Sequence, residues 1–479
     1  MQKSNLLSLD EAIKKIKLSF DKISSEDVFI QNALGRCLSK PVVSNIDNPK
    51  YDVSSMDGYA VNYNNYIKIN KETPKKLKVI GESSAGNSFS KKIEGLETVR
   101  IFTGAKLPSG SDTVIIQEDV KDLSNKQYVE TKINIKKNQF VRKKGLDFKK
   151  NEILFDEGIV IKSRHIGSIA MTGQTWLTVS RKPIVSILST GNEIIKVGET
   201  QKKDQIPNGN SLMLASMIQE FGGIPKILPV AGDNELDIYK ILKDASDCDL
   251  IVTTGGVSVG KYDLIQKALK HFKRNKTEFW KIAMRPGKPL LFSKVNGTPL
   301  IGLPGNPVSS GVCSLIFVNI AIRTMLGNTN KFPIFEKAIL SGELSKNDQR
   351  FDFVRANIKY KNGDIYAIPI SVQDSSMITK FSHSNCLITR EPFDAIKSNG
   401  EIVKILKFFE RYSINSNKAS NISSSVFSLI YKFLILYFLP SKQLIILNLS
   451  SSLNESFSPV APSTICLNID ILYLLWLIK

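Results

Sequence analysis

The sequence predicts a multidomain α/β protein whose central doubly wound domain is flanked by β-rich segments. Three observations carry this. A chain of 479 residues is too long for one hydrophobic core. From Pro183 onward, short apolar runs alternate with helix-length runs, the pattern of a parallel sheet. On either side of that stretch the apolar runs are short and punctuated by Gly, Pro and Asn.

The N-terminus reads as a helix and not as a signal peptide, because Asp10 and Glu11 interrupt its apolar run. Ser8-Leu9-Asp10-Glu11 is a capping-box pattern, and Ile13, Ile16, Phe20 and Ile23 then form an apolar face. Residues 1–46 and 142–182 are assigned together to an N-terminal linker and helical domain, with a helix over Ser163–Ala170. Residues 47–141 are assigned to a β-rich domain, with strands at Leu77–Ile80, Thr98–Phe102 and Thr113–Gln117. In the α/β domain, 183–327, strands are expected at Ile184–Leu188, Lys226–Val230, Asp249–Thr253, Leu290–Ser293 and Pro299–Leu303. Between and after them come helices at Leu212–Phe221, Glu235–Ala245, Leu264–Phe272 and Val308–Leu326, the first capped by Asn210 or Ser211. Residues 328–410 return to short strands, including Phe351–Lys359, Asp364–Ile370 and Ile402–Leu406, and predict a C-terminal β-barrel.

Composition changes beyond Arg411. The stretch 412–479 has four lysines against Glu455 and Asp470, and is rich in Ser, Asn, Ile and Leu. Its apolar run Val426–Leu439 is broken by Lys432 and stopped by Pro440, short of the roughly 20 residues that a spanning helix needs. Residues 411–479 therefore read as a poorly structured extension, or as translated non-coding sequence, and not as a membrane anchor.

The net charge of +20 comes mostly from dispersed lysine pairs such as Lys75-Lys76 and Lys149-Lys150. Such pairs are a solvated surface that steers small acidic ligands, and they argue against nucleic acid as the main partner. Five widely spaced cysteines, an odd number without a CxxC spacing, fit a reducing, cytoplasmic setting. Three dispersed histidines offer no His/Cys metal cluster, which leaves a hard cation held by carboxylates.

In open α/β sheets, ligands bind where the strands end and the chain directions diverge. Three loops there are unusual: Ser189-Thr190-Gly191-Asn192-Glu193, Thr254-Gly255-Gly256-Val257-Ser258-Val259-Gly260 and Leu303-Pro304-Gly305-Asn306-Pro307-Val308-Ser309. In the second, the glycines let backbone approach a ligand while Ser258 and the following amides donate to phosphate oxygens; a tight turn set by packing alone is the competing reading. Glu193, Asp233 and Asp263 lie among these loops as candidate ligands of Mg²⁺. Asp233 and Asp263 could instead be N-caps of the helices that follow them. In Arg285-Pro286-Gly287-Lys288-Pro289, two cations flank a Pro-Gly turn, which suits a doubly charged oxyanion.

Together these residues resemble the molybdopterin molybdenumtransferase family, the MoeA proteins and the E domain of gephyrin, from about Leu9 to Phe408. The resemblance includes Ser55-Met56-Asp57-Gly58-Tyr59-Ala60-Val61, Arg100-Ile101-Phe102-Thr103-Gly104-Ala105, Gln117-Glu118 and Arg142-Lys143-Lys144-Gly145-Leu146-Asp147. It implies insertion of molybdate into adenylylated molybdopterin, with Mg²⁺-dependent release of AMP. It also implies a homodimer in which Asp57 and Thr103 of one subunit reach the α/β domain of the other, with molybdopterin adenylyltransferase as substrate donor. By the same resemblance, Thr190, Gly191, Gly255, Gly256, Ser258, Gly260, Pro304, Asn306 and Pro307 would contact the pterin phosphate or adenylate. Glu193, Asp233 and Asp263 would serve the cation or nucleotide, and Arg285, Lys288, Pro289 and Ser309 would hold molybdate, with Arg355 and Ser375 nearby. Four positions depart from the common pattern: Asn192 for Asp, Asn208-Gly209-Asn210-Ser211 for an Asp-Ser/Thr-Asn-Arg type segment, Arg285 for Lys and Leu146 for Glu. The alternative is a molybdopterin-binding scaffold without turnover, since gephyrin organises other proteins.

Overall fold

The computed structural model describes residues 6–69, 74–123, 127–245, 247–257, 264–330 and 332–408, so the reading of 411–479 lies outside the described residues. The capping box is present. Glu11 N–H donates to Ser8 Oγ at 3.3 Å and Ser8 N–H to Glu11 Oε2 at 3.1 Å, which starts the helix Leu9–Lys17. Its buried face, Leu9, Ala12 and Ile16, packs into the core beneath the central sheet.

Segments on either side of the β-rich region pair with each other. Strand Ser25–Phe29 pairs with Trp176–Ser180, Val42–Val43 with Ile153–Phe155, and Val53–Ser54 with Val141–Arg142, all antiparallel. Between these ladders lies a six-stranded sheet in the order Thr113–Ile116, Gly58–Val61, Glu97–Ile101, Lys75–Ser83, Tyr128–Thr131, Lys121–Leu123. Only Lys75–Ser83 with Glu97–Ile101 is parallel in it. A short helix, Tyr63–Ile67, interrupts this region where the sequence suggested none.

The central sheet runs Ile224–Ile227, Ile184–Ser189, Leu250–Thr254, Thr298–Leu303, Leu291–Val295, Asn275–Trp280. Its first four strands are parallel, as expected of a doubly wound domain. The fifth, Leu291–Val295, runs antiparallel to both of its neighbours, which corrects the expectation of a parallel sheet throughout. The cause is local. Asn296 and Gly297 both take positive φ, 49° and 98°, in a two-residue hairpin turn, and that Asn-Gly signal was readable in the sequence. Only the end of the strand Asn275–Trp280, at Phe279 and Trp280, falls in an apolar run, since three of its six side chains are exposed.

Alternation in the inner strands explains their continuous apolar runs. Val252 and Ile301 face a core shared with Leu214 and Ile218 of the helix Gly209–Phe221. Their neighbours Ile251 and Leu300 face the opposite core, with Ile238, Leu242 and Ile265 from the helices Glu235–Asp244 and Leu264–Leu269. The expected helix after Pro307 is continuous from Pro307 to Met325, with a wider π turn at Ser314–Val318 between two α segments. It is long and apolar enough to cross a membrane, but 89% of its apolar window is buried inside the protein.

The C-terminal strands close a five-stranded barrel. Phe351–Lys361 pairs with both Asp364–Pro369 and Cys386–Arg390, and Ile402–Lys407 with both Cys386–Arg390 and Glu336–Leu340. Glu336–Leu340 with Asp364–Pro369 completes the ring. Strand Met284–Arg285 adds outside it, parallel to Phe351 and Asp352.

One ion pair sets the starting ends of the two strands whose far ends carry the glycine loops. Asp249 accepts from Arg181 at 2.7 and 2.5 Å and from the Ile184 backbone N–H at 2.8 Å. Burial alone would raise the carboxyl pKa, yet the Arg181 and Ile184 hydrogen bonds outweigh it and hold Asp249 below its ordinary range. A pKa depressed on folding adds stability that is present above the unfolded value and is lost as pH falls through the folded one. Asp249→Asn is therefore expected to cost about 1–3 kcal/mol at pH 7. The denaturation midpoint of this variant should also decline less below about pH 4 than that of the unmodified chain, as urea titrations across pH will report.

Candidate active site

The strand Ile184–Ser189 lies between Ile224–Ile227 and Leu250–Thr254, so the chain leaves it first to one side and then to the other. At that divergence the three loops meet in one cleft of about 680 Å³. Thr190, Gly191, Glu193, Asp233, Gly255, Gly256, Asn306 and Pro307, all singled out from the sequence, line it.

Backbone contacts hold these loops together. Thr190 N–H donates to Thr254 O at 3.2 Å and Gly191 N–H to Ala231 O at 3.1 Å. Gly255 and Gly256 have φ of +88° and +65°, and a Cβ on either would stand 2.8–2.9 Å from Thr190 oxygens. Thr190 Oγ1 is itself buried without a hydrogen-bond partner in the protein, which leaves a donor for a ligand oxygen. Ser258, Gly260 and Asp263 lie outside the described residues.

Asn192 and Asp233 bond reciprocally. Asp233 N–H donates to Asn192 Oδ1 at 3.0 Å, and Asn192 N–H to Asp233 Oδ2 at 3.3 Å. The helix after Asp233 is capped by Asn234, whose Oδ1 accepts from Leu236 N–H at 2.8 Å, so Asp233 is not spent as a cap. Similarly, Asn208 caps the helix Gly209–Phe221 through Ser211 N–H at 3.1 Å, correcting the expected cap at Asn210 or Ser211. Asn210 instead donates to Gly305 O at 2.7 Å and to Thr254 Oγ1 at 3.1 Å, tying the second and third loops to this helix. The helix N-terminus opens on the cleft through Asn208, Gly209 and Asn210, an arrangement that favours an anion.

The barrel supplies the remaining wall. Asn306 Nδ2 donates to Ser375 Oγ at 2.8 Å, and Val308 N–H to Ser375 O at 3.1 Å, which seats Ser376 and Ile378 against the cleft. Arg355 is only 2% exposed and bonds to Gln373 and to the carbonyls of Val372 and Met377. It lies on the barrel's outer face, on the same side of its strand as Phe353, where it buttresses this loop, and it is not among the residues lining the cleft. No sequence signal marked Ser376 or Ile378, which arrive through the docking of a distant loop.

The cationic turn departs from its expected geometry. Arg285 is ion-paired with Asp352 and, at 3.3 Å, with Asp348; with Asp352 as the leading cause, these contacts raise its pKa. The expected pair of free positive charges is thus one neutralised arginine and one exposed lysine, Lys288. Two acidic residues far along the chain are the reason, and no local pattern announces them. Arg285, Lys288, Pro289, Pro304 and Ser309 are not among the residues lining the cleft. The turn meets the helix Pro307–Cys313 at its far end, where Gly287 packs on Cys313, one turn from Ser309.

Asp57 and Thr103 are brought together in the β-rich sheet. Asp57 Oδ1 accepts from Thr103 N–H and from Thr103 Oγ1, both at 2.8 Å, and these bonds hold the carboxyl below its ordinary pKa. Neither residue lines the cleft of its own chain. The donor set fits a hard cation: Glu193 and Asp233 place two carboxylates in the cleft, enough for Mg²⁺ completed by phosphate oxygens and water.

Known proteins agree with this architecture. Residues 7–173 match the MoeA N-terminal region (domain I and II), 186–324 a probable molybdopterin binding domain, and 337–408 the MoeA C-terminal region (domain IV). A molybdopterin molybdenumtransferase of Haemophilus influenzae is 34% identical over 409 residues, spanning 84% of this chain and 99% of the relative. The chain belongs to the MoeA family. Its membership places it among enzymes of molybdenum cofactor biosynthesis. A Bacillus subtilis molybdopterin molybdenumtransferase is 28% identical over 85% of this chain and 95% of its own length. The crystal structure of a molybdopterin biosynthesis MoeA protein from Pyrococcus horikosii superposes with a TM-score of 0.74 at 28% identity, covering 85% of this chain and all of the other.

The glycine contacts make a discriminating prediction for this MoeA family member. Gly255→Ala forces a Cβ to 2.8 Å from Thr190 O at a positive φ, whereas a Cβ on Gly209 meets nothing within 4 Å. Cofactor-forming activity should fall at least about tenfold in Gly255→Ala, the effect of roughly 1.4 kcal/mol, and stay within about twofold in Gly209→Ala.

Proposed function

We propose that this chain inserts molybdate into adenylylated molybdopterin with Mg²⁺-dependent release of AMP, yielding molybdenum cofactor. The observation that supports it most is the convergence of three strand-end loops, a helix N-terminus and two carboxylates on one cleft. In this reading the backbone of Thr190, Gly191, Gly255 and Gly256 receives the phosphates, and Asn306 and Pro307 close the far side. Ser258 and Gly260 would contribute further donors to the same phosphates.

Glu193 and Asp233, with Asp263, would hold the cation. When bound, that cation screens the diphosphate charge during cleavage. Lys288, with Ser309 and Ser375, holds molybdate beside the cleft, while Arg285 and Arg355 shape the surfaces on which it rests. Asp57 and Thr103 serve the cleft of the partner in a homodimer. Molybdopterin adenylyltransferase hands over the substrate, and the reaction runs in the cytoplasm.

The purified protein, given adenylylated molybdopterin, Mg²⁺ and molybdate, should release AMP in proportion to the cofactor formed. Absence of molybdate-dependent AMP release would overturn the reading. Lys288→Ala should lower the rate at saturating adenylylated molybdopterin by about 10²-fold, the scale of losing one electrostatic partner of the reacting oxyanion. Chelation of the metal should stop turnover, and added Mg²⁺ should restore it.

A further inference from the structure

We infer that the β-rich sheet carries a second ligand site, a stacking cleft around Arg100 for a planar nitrogen-heteroaromatic ring. The inference rests on the proposed substrate, which contains two such rings, a pterin and an adenine. It concerns residues to which that reading gives no role.

A cleft of about 790 Å³ lies on the face of the six-stranded sheet, bounded in part by Tyr59, Glu82, Arg100, Phe102, Gln117 and Asp122. Strand alternation places Arg100 there. Its neighbours Val99 and Ile101 are fully buried on the other face, and Tyr59 is its cross-strand partner. The guanidinium carbon stands 5.0 Å from the Tyr59 ring centroid and 5.1 Å from that of Phe102. Arg100 also donates to the neutral Gln117 amide, and no carboxylate closes on it as an ion pair among the described residues. A planar cation flanked by two rings and not neutralised by an acid is a platform on which a flat heteroaromatic system stacks.

The rim supplies the complementary edge. Asp122 accepts from Tyr59 Oη at 3.1 Å, and it shares the cleft with the exposed Glu82. Carboxylates there accept from an exocyclic amino group, which pterin and adenine both carry. The cleft adjoins the Asp57–Thr103 pair: Phe102 precedes Thr103, and Gln117 N–H donates to Asp57 O at 3.1 Å. Arg100 contributes to the low pKa of Asp57, after the two Thr103 hydrogen bonds. A ring held on Arg100 would therefore deliver its adjoining atoms to Asp57 and Thr103.

Titration calorimetry of the full chain with AMP and, separately, with neopterin tests this. Arg100→Met should weaken one of the two ligands by about tenfold and leave the other within about twofold, which identifies the ring. Asp122→Asn, at an exposed position, should weaken the same ligand. Unchanged affinity for both ligands in both variants would overturn the inference, as would a native chain that binds neither. Molybdate-dependent AMP release, followed in parallel, separates the two claims. Ring binding through Arg100 without AMP release counts against the activity alone, whereas an active chain whose Arg100→Met variant keeps its affinities and its KM for adenylylated molybdopterin counts against the cleft alone.

Discussion

The site depends on one close approach, between the end of the strand Ile184–Ser189 and the end of the strand Leu250–Thr254. Thr190 can bond to Thr254 across the parallel ladder only because the two residues after Thr254 lack side chains. With that contact made, the loop after Thr190 reaches Ala231, Asn192 engages Asp233, and the third loop is drawn in through Asn210. The cleft is thus a packing consequence of two adjacent strands ending together at positive-φ glycines. The ion pair of Arg181 with Asp249 sets the opposite ends of these strands, so their register is defined at both ends.

Charge in this protein is more selective than the total of +20 suggests. Arg285 is neutralised by Asp348 and Asp352, Arg355 is buried against the carbonyls of its own domain's loop, and Arg181 is tied to Asp249. Lys288 and Arg100 are different: one is exposed in the turn that packs on Cys313, and the other faces a cleft between two aromatic rings. A guanidinium locked by two carboxylates positions a backbone, while one with no carboxylate at ion-pairing distance among the described residues keeps its attraction for a ligand. Arg285 suits the first role, since its planar fork can hold both acids at once.

The barrel and the N-terminal helix show how distant segments finish the core and the cleft. Phe353, Leu387 and Leu406 of the barrel share a core with Leu9, Ala12 and Ile16 and with the buried helix Pro307–Met325. The same docking brings Ser375 onto Asn306 and sets Ile378 at the rim. The wall of the cleft is therefore completed partly by a domain with no chemical motif of its own.

Periodicity and turn chemistry determined much of this protein without any structure. The alternating runs after Pro183 gave the strands and helices of the central sheet, and the glycine pairs marked the loops at its ends. The Ser8 box located the first helix, and eight of the residues singled out as candidate ligand contacts line one cleft. These are local properties, set by neighbours a few residues away. What only the tertiary structure decided was which charges remain available, which residue caps each helix, where the sheet turns antiparallel and which distant loop completes the wall. Arg285 and Asp352, or Asn306 and Ser375, are separated by more than sixty residues. Their meeting follows from burial of apolar faces in three dimensions, a cause to which no short stretch of sequence responds.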